Sequence, residues 1–273
     1  MSEQQKIFVV VDPNAEQHIA LQRVIITSRL HEVKPFVHVF VAVDSDAVDT
    51  RAHNTNLVRD QHWFDEVIKE PLAGEAGVEY LIEVCWSGEW QKAIMQSAKA
   101  VDADLIYLPV HANNSSRRFL FTESKWELLK GAYCPVVLIR PGAKDARKTI
   151  LAAVNFQAVR KVQVELNEKI LAEARKYAGI YGAELHVVNG YLDMMNYPDR
   201  GALARDTGLP SSHIHVDNGY TSEVVSNVAK EINADLVVMG TLGQNGMTTS
   251  RRGNTAERLI DALDTDVMVI NHG

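Results

Sequence analysis

A chain of 273 residues exceeds the usual size of one domain, so two domains are the default expectation. Its composition is that of a globular protein, 46% hydrophobic and 23% charged, and a formal net charge of −7 argues against a nucleic-acid partner, because neutralising phosphates needs concentrated Lys and Arg. No apolar run approaches the roughly 18–20 residues that span a bilayer, and the start, Met1 to Lys6, lacks the apolar segment of a signal peptide; no membrane partner and a cytoplasmic location are expected.

Taken in chain order, residues 6–12 form a β-rich run followed by a helical pattern through Leu30. Further strands are expected over 36–43, 78–84, 103–108 and 135–140. The polar breaker stretch Pro141-Gly142-Ala143-Lys144-Asp145 then ends a first copy at residue 142. A second copy opens at 148–155 in the same way, with a long helical stretch to Ile180 and strands over 183–191, 213–216, 234–239 and 266–271. Ala103-Asp104-Leu105 and Ala234-Asp235-Leu236 match at the same offset as the final strands, which supports internal duplication. The stretch between the second and third strands is shorter in copy two, so a helix there is expected to be shortened or lost. Near-continuous apolar runs alternating with amphipathic stretches suit strands buried on both faces and right-handed crossovers. The expectation is an α/β protein of two tandem five-stranded parallel Rossmann-like sandwiches, residues 1–142 and 143–273, which pair their last strands as a pseudo-dimer within one chain.

The segment Gly240 to Thr255, GTLGQNGMTTSRRGNT, leaves the carboxyl end of the fourth strand of copy two, where ligands of parallel α/β sheets sit. Gly240 and Gly243 lack a Cβ, so backbone amides there can approach a ligand, and Gly253-Asn254-Thr255 opens a helix whose free N–H groups favour phosphate. Glycines that merely permit a tight turn are the bland alternative.

Gly240, two residues, Gly243, nine residues, then Gly253-Asn254 resembles the G-2x-G-9x-G-(S/T/N) signature of the universal stress protein family. Phe119 to Lys130 with Cys134-Pro135-Val136 in copy one, and Gly253 to Glu257 in copy two, look like its tandem, E-type bacterial members. The resemblance implies a stress-response or signalling protein that binds ATP or a related adenine nucleotide without fast catalysis. Phosphates would lie against Gly240, Gly243, Gly253, Asn254 and Thr255, with Arg251 or Arg252 near, and Asn155 and the end of the second strand near Val188 would face the ribose and base. Replacing Gly253 by a bulky residue is expected to weaken binding.

In copy one the matching positions are Pro109, Ala112 and Thr122-Glu123. Proline offers no N–H and Glu123 brings negative charge, so copy one is expected to bind no nucleotide. Asp12 keeps the acidic residue that the family places beside the nucleotide, but copy two has Asn155, which cannot offer a carboxylate to Mg. That counts against metal-assisted binding and more strongly against hydrolysis, with slow turnover left open. No catalytic residue and no metal ligand set is expected. His213 and His215 alternate in a strand-like run with no acid or cysteine at convincing spacing and read as surface histidines. His111 with Arg117 and Arg118 read as loop residues. Trp63, Trp86, Trp90 and Trp126 read as packing, and Cys85 and Cys134 as buried apolar residues. Two alternatives stand beside the nucleotide reading: an interaction or hydrophobic-ligand module of the same fold with an unknown protein partner, and a nucleotide-hydrolysing enzyme of a related superfamily. The second lacks a G-x-S-x-G elbow or comparable motif.

Overall fold

The structure, a computed structural model, describes residues 4–43, 61–110, 123–142, 144–242 and 255–272. The chain divides into two compact units, residues 1–128 with 132–141 and residues 129–131 with 142–273.

The first half runs β1 (Lys6–Val11), α1 (Ile19–Leu30), β2 (Phe36–Val43), α2 (Gln61–Phe64), a π-helical segment (Asp65–Lys69), α3 (Glu70–Ala73), β3 (Glu79–Trp86), α4 (Trp90–Ala100), β4 (Leu105–Pro109), α5 (Glu123–Gly131) and β5 (Val136–Ile139). Its strands are parallel in the order β3-β2-β1-β4-β5. The uninterrupted apolar run Ile7 to Val11 is buried because β1 lies inside the sheet with helices to cover it.

The second half repeats this as β6 (Thr149–Ala153), α6 (Lys161–Tyr181), β7 (Glu184–Tyr191), α7 (Arg200–Thr207), β8 (Ile214–Asn218), α8 (Thr221–Glu231), β9 (Leu236–Thr241), α9 (Thr255–Ala262) and β10 (Asp266–Asn271). Its strands are parallel in the order β8-β7-β6-β9-β10. The helix between its second and third strands is shortened to α7, not lost. Helix α6 stops at Gly182, whose φ of 61° is left-handed, a conformation that costs a side chain strain.

Both units use one device at the start of the first strand. The Asp104 carboxylate accepts a 2.8 Å hydrogen bond from the Lys6 amide, and the matching Asp235 accepts from the amides of Lys148 and Thr149 and from Lys144 Nζ. Burial works to raise the Asp235 carboxyl, but these three donors outweigh it and hold the group below the usual aspartate range. A second device belongs to unit two alone. Arg147 and Asp266, both with fully buried side chains, form an ion pair, and Arg147 also donates to Tyr181 Oη at 3.2 Å. By strand register, Asp266 beside Leu236 corresponds to Pro135 beside Leu105 in unit one.

Three expectations need correction. His213 does not belong to the strand: it ends a 3₁₀ turn, Ser211–His213, and β8 begins at Ile214. Cys134 is buried, with burial pushing its thiol to about 12, but Cys85 is only half-buried because β3 is an edge strand of its unit. Of the tryptophans, Trp90 is buried and Trp63 packs edge-on against His18 and Phe64, whereas Trp86 is exposed.

Candidate functional site

At the carboxyl ends of β6, β7 and β9 unit two holds a cavity of about 730 Å³, within the roughly 300–1,000 Å³ range of small-molecule sites. Helices enter it from both faces of the sheet, and two glycines set how closely. A Cβ on Gly240 would lie 2.7 Å from Leu166 of α6, and one on Gly190 would lie 3.3 Å from Thr221 and Val224 of α8. Gly240 therefore serves helix packing, in ordinary strand conformation, and not a positive φ. The amino ends of α8 and α9, at Thr221 and Thr255, both border the cavity. The positive dipole ends of both helices favour an anion there.

The opposite wall is the turn after β6. Asn155 Oδ1 accepts from the Gln157 amide at 3.2 Å, and Asn167 of α6 clamps the Asn155 backbone from both sides, donating to its carbonyl at 2.7 Å and accepting from its amide at 3.0 Å. From β7, the fully buried Asn189 accepts from the Phe156 amide at 2.6 Å. A buried amide in the middle of a strand costs free energy unless paired, and here pairing it fixes the β6–α6 turn against the sheet. Asp193 is the carboxylate of the described lining, its Oδ1 accepting from the Met195 amide.

Of the residues expected at a nucleotide site, Asn155, Gly240 and Thr255 line this cavity. Gly243, Gly253 and Asn254 lie outside the described residues, as do Arg251 and Arg252. Val188 is fully buried within β7, and the wall at that strand end consists of Gly190, Tyr191 and Leu192 instead. The reason is strand length: β7 runs on to Tyr191, so the cavity meets it beyond Val188. Asn167, Asn189, Gly190 and Asp193 are additional. The polar Asn189 beside Gly190 within an apolar run was the signal available for two of them.

In unit one the corresponding recess, bounded by Val10, Asp12, His18, Leu21 and Pro109, has no room for a water-sized sphere. Asp12 is buried, its Oδ1 accepting from the Asn14 amide at 2.8 Å, the same turn that Asn155 makes. Ala112, Thr122, His111, Arg117 and Arg118 lie outside the described residues; Glu123 opens α5.

A separate group of histidines was not legible as such. The His186 ring stacks on His213 with centroids 4.1 Å apart, and His186 Nδ1 is 3.1 Å from His215 Nε2. Burial first, and then the neighbouring rings of His213 and His215, hold His186 below the usual histidine range; burial likewise lowers His215.

The sequence matches the model of the Universal stress protein family twice, over residues 4–140 and 147–271, and the chain belongs to that family. It is 28% identical to Universal stress protein E of Escherichia coli, an alignment covering 99% of this chain and 95% of that protein. It is 24% identical to the Universal stress protein E homolog of Haemophilus influenzae, covering 97% of this chain and 96% of the relative. Among solved structures its fold is similar to a functionally unknown protein from Pseudomonas aeruginosa, with a TM-score of 0.79 at 22% identity, covering 98% of this chain and 92% of that one. A universal stress protein from Archaeoglobus fulgidus gives a TM-score of 0.69 at 16% identity, covering 97% and 96%. No described helix is long and apolar enough to cross a membrane.

Proposed function

We propose that the C-terminal unit binds an adenine nucleotide, ATP, in the cavity between α6, α8 and α9, and that the protein acts as a nucleotide-responsive stress or signalling protein without fast catalysis. The observation that carries this reading is the cavity itself: about 730 Å³ at the strand carboxyl ends, bordered by two helix amino ends. The phosphates are assigned to the amino end of α9 at Thr255, and on sequence spacing to Gly243, Gly253 and Asn254. Asn155 and Gly190 face the nucleoside, and the Asp193 carboxylate suits the ribose hydroxyls as hydrogen-bond donors. Leu166 and Leu242 add apolar wall for a base. Asn155 gives Mg no carboxylate and its side-chain oxygen is already engaged by Gln157, so binding is assigned to the nucleotide without an essential metal. Slow turnover is assigned because Asn155 offers no carboxylate to hold a metal at the phosphates.

The test is calorimetric titration of ATP into the whole protein and into Thr255→Glu, which sets a carboxylate at the phosphate end of the cavity. Saturable binding by the wild type and at least a tenfold loss in the variant are expected, the loss of one charge-assisted hydrogen bond of about 1.5–3 kcal/mol. Absence of binding to the wild type, or equal affinity in both, would leave the interaction-module reading in its place.

A further inference from the structure

The amino ends of β7 and β8 carry a group of side chains that the nucleotide reading does not use. Glu184 and His186 alternate with buried residues on β7 and so project from one face of the sheet, and the 3₁₀ turn before β8 brings His213 alongside them. One ligand atom from each of Glu184, His186 and His213 lies within 4.8 Å of the other two. The hydrogen bonds around them set which ring nitrogens are available. His213 Nδ1 lies 3.1 Å from the Leu185 carbonyl oxygen, which can only accept, so Nδ1 carries the proton and Nε2 keeps its lone pair. His186 Nδ1 faces His215 Nε2 at 3.1 Å; with His186 as donor, its own Nε2 is left unprotonated, and that atom is 3.9 Å from Glu184 Oε2. A distance of 3.9 Å is too long for a hydrogen bond. It suits two groups waiting for something between them.

We infer that Glu184, His186 and His213 form a binding site for a divalent transition-metal ion of the zinc class, with His215 as the partner that orients His186. Two imidazole nitrogens and one carboxylate oxygen are the donors zinc takes, and three protein ligands leave at least one position for water. The second-shell arrangement is the one such sites use, each ligating histidine giving its other N–H to a fixed acceptor, here the Leu185 carbonyl and His215. Bonds of about 2.0–2.2 Å require the ligand atoms to close in and the His186 ring to tilt out of its stack on His213. The Glu184 side chain, 71% exposed, can swing to meet the ion. Unit one shows what the same place looks like when it is closed. His38 occupies the position of His186, and Glu83 that of His215, by strand register. There His38 Nε2 meets Glu83 Oε2 directly at 2.8 Å, and Ser97 also donates to that carboxylate. Where unit one has a direct His–Glu pair, unit two has a cluster rich in lone pairs. The site is about 13 Å or more along β7 from the cavity, counting four residues from His186 to Gly190, so it stands or falls separately from nucleotide binding.

The experiment uses the untagged full chain, stripped with a chelator and dialysed, and zinc chloride alone as the probe. Calorimetry is expected to give one zinc per chain with a dissociation constant in the micromolar range or tighter, and zinc to raise the melting temperature of the C-terminal unit. Glu184→Gln and His213→Gln alter side chains outside the core and are each expected to weaken zinc at least tenfold, whereas His62→Gln, in a surface His–Glu pair of unit one, should leave it unchanged. Cobalt(II) in place of zinc should give the stronger visible absorption of a low-coordinate ion, lost in both cluster variants. No saturable zinc binding by the wild type, or affinity unaltered in both Glu184→Gln and His213→Gln, would overturn the assignment.

Discussion

The carboxyl ends of β1 and β4 in unit one and of β6 and β9 in unit two are built from the same elements in the same order, yet one is filled and the other open. Both begin with a turn in which a side-chain oxygen, of Asp12 or Asn155, accepts from the amide two residues on. They part at the fourth strand. Unit one places Pro109 there, with His18 and Leu21 closing the recess, while unit two places Gly240, which lets Leu166 of α6 lie against bare backbone. A second glycine, Gly190, lets α8 approach from the other face and bring its amino end to the rim. The difference teaches that a ligand cavity in this fold depends less on adding recognition groups than on the residue at a strand end that decides what the helix can touch.

The largest expected effect comes from the buried pair that unit two has and unit one lacks. Asp266→Ala leaves Arg147 charged, buried and deprived of its carboxylate, and should cost unit two about 3–5 kcal/mol. Pro135→Ala, at the corresponding place in unit one, should cost far less. Urea unfolding followed by hydrogen exchange resolved on each unit checks this; equal losses would break the asymmetry. Next comes Gly240→Val, which adds three carbons whose Cβ alone would lie 2.7 Å from Leu166. A loss of about 1–3 kcal/mol from overpacking is expected, together with a fall in ATP affinity of about tenfold as α6 is displaced. A variant as stable and as tight-binding as the wild type would show that Gly240 is not what opens the cavity.

The smallest effect is a pH dependence. Asp235 has its carboxyl depressed in the folded state, so its contribution is present above the unfolded value of 3.8 and is lost as pH falls through the lower folded value. Asp235→Asn should therefore be less stable than the wild type at pH 7 by about 1–2 kcal/mol, and the gap should close as the pH is taken below 3.8. Asp104→Asn should show a smaller gap at pH 7, since Asp104 accepts from the Lys6 amide whereas Asp235 also holds a lysine. Denaturant melts across that pH range measure both, and a gap for Asp235→Asn that persists at low pH would sink the linkage argument.

The sequence by itself determined the duplication, the parallel α/β class and the element order, because strands buried on both faces must be continuous apolar runs and their repetition at a constant offset is visible without any coordinates. It also pointed to one end of one unit, since glycines after a strand and before a helix carry a backbone meaning. What it could not decide was what those glycines do. Gly240 reads as a place for ligand approach until Leu166, far away in the chain, is seen against it. Nor could spacing show that Asn167 and Asn189, from different elements, hold one turn, or that Arg147 in the polar stretch before β6 meets Asp266. His213 read as a surface histidine, and nothing in the spacing joined it to His186 and Glu184, for the same reason. Their proximity is set by the register of β7 on β8 and by a 3₁₀ turn that carries His213 off the strand, and register is a property of two packed segments that neither segment encodes alone.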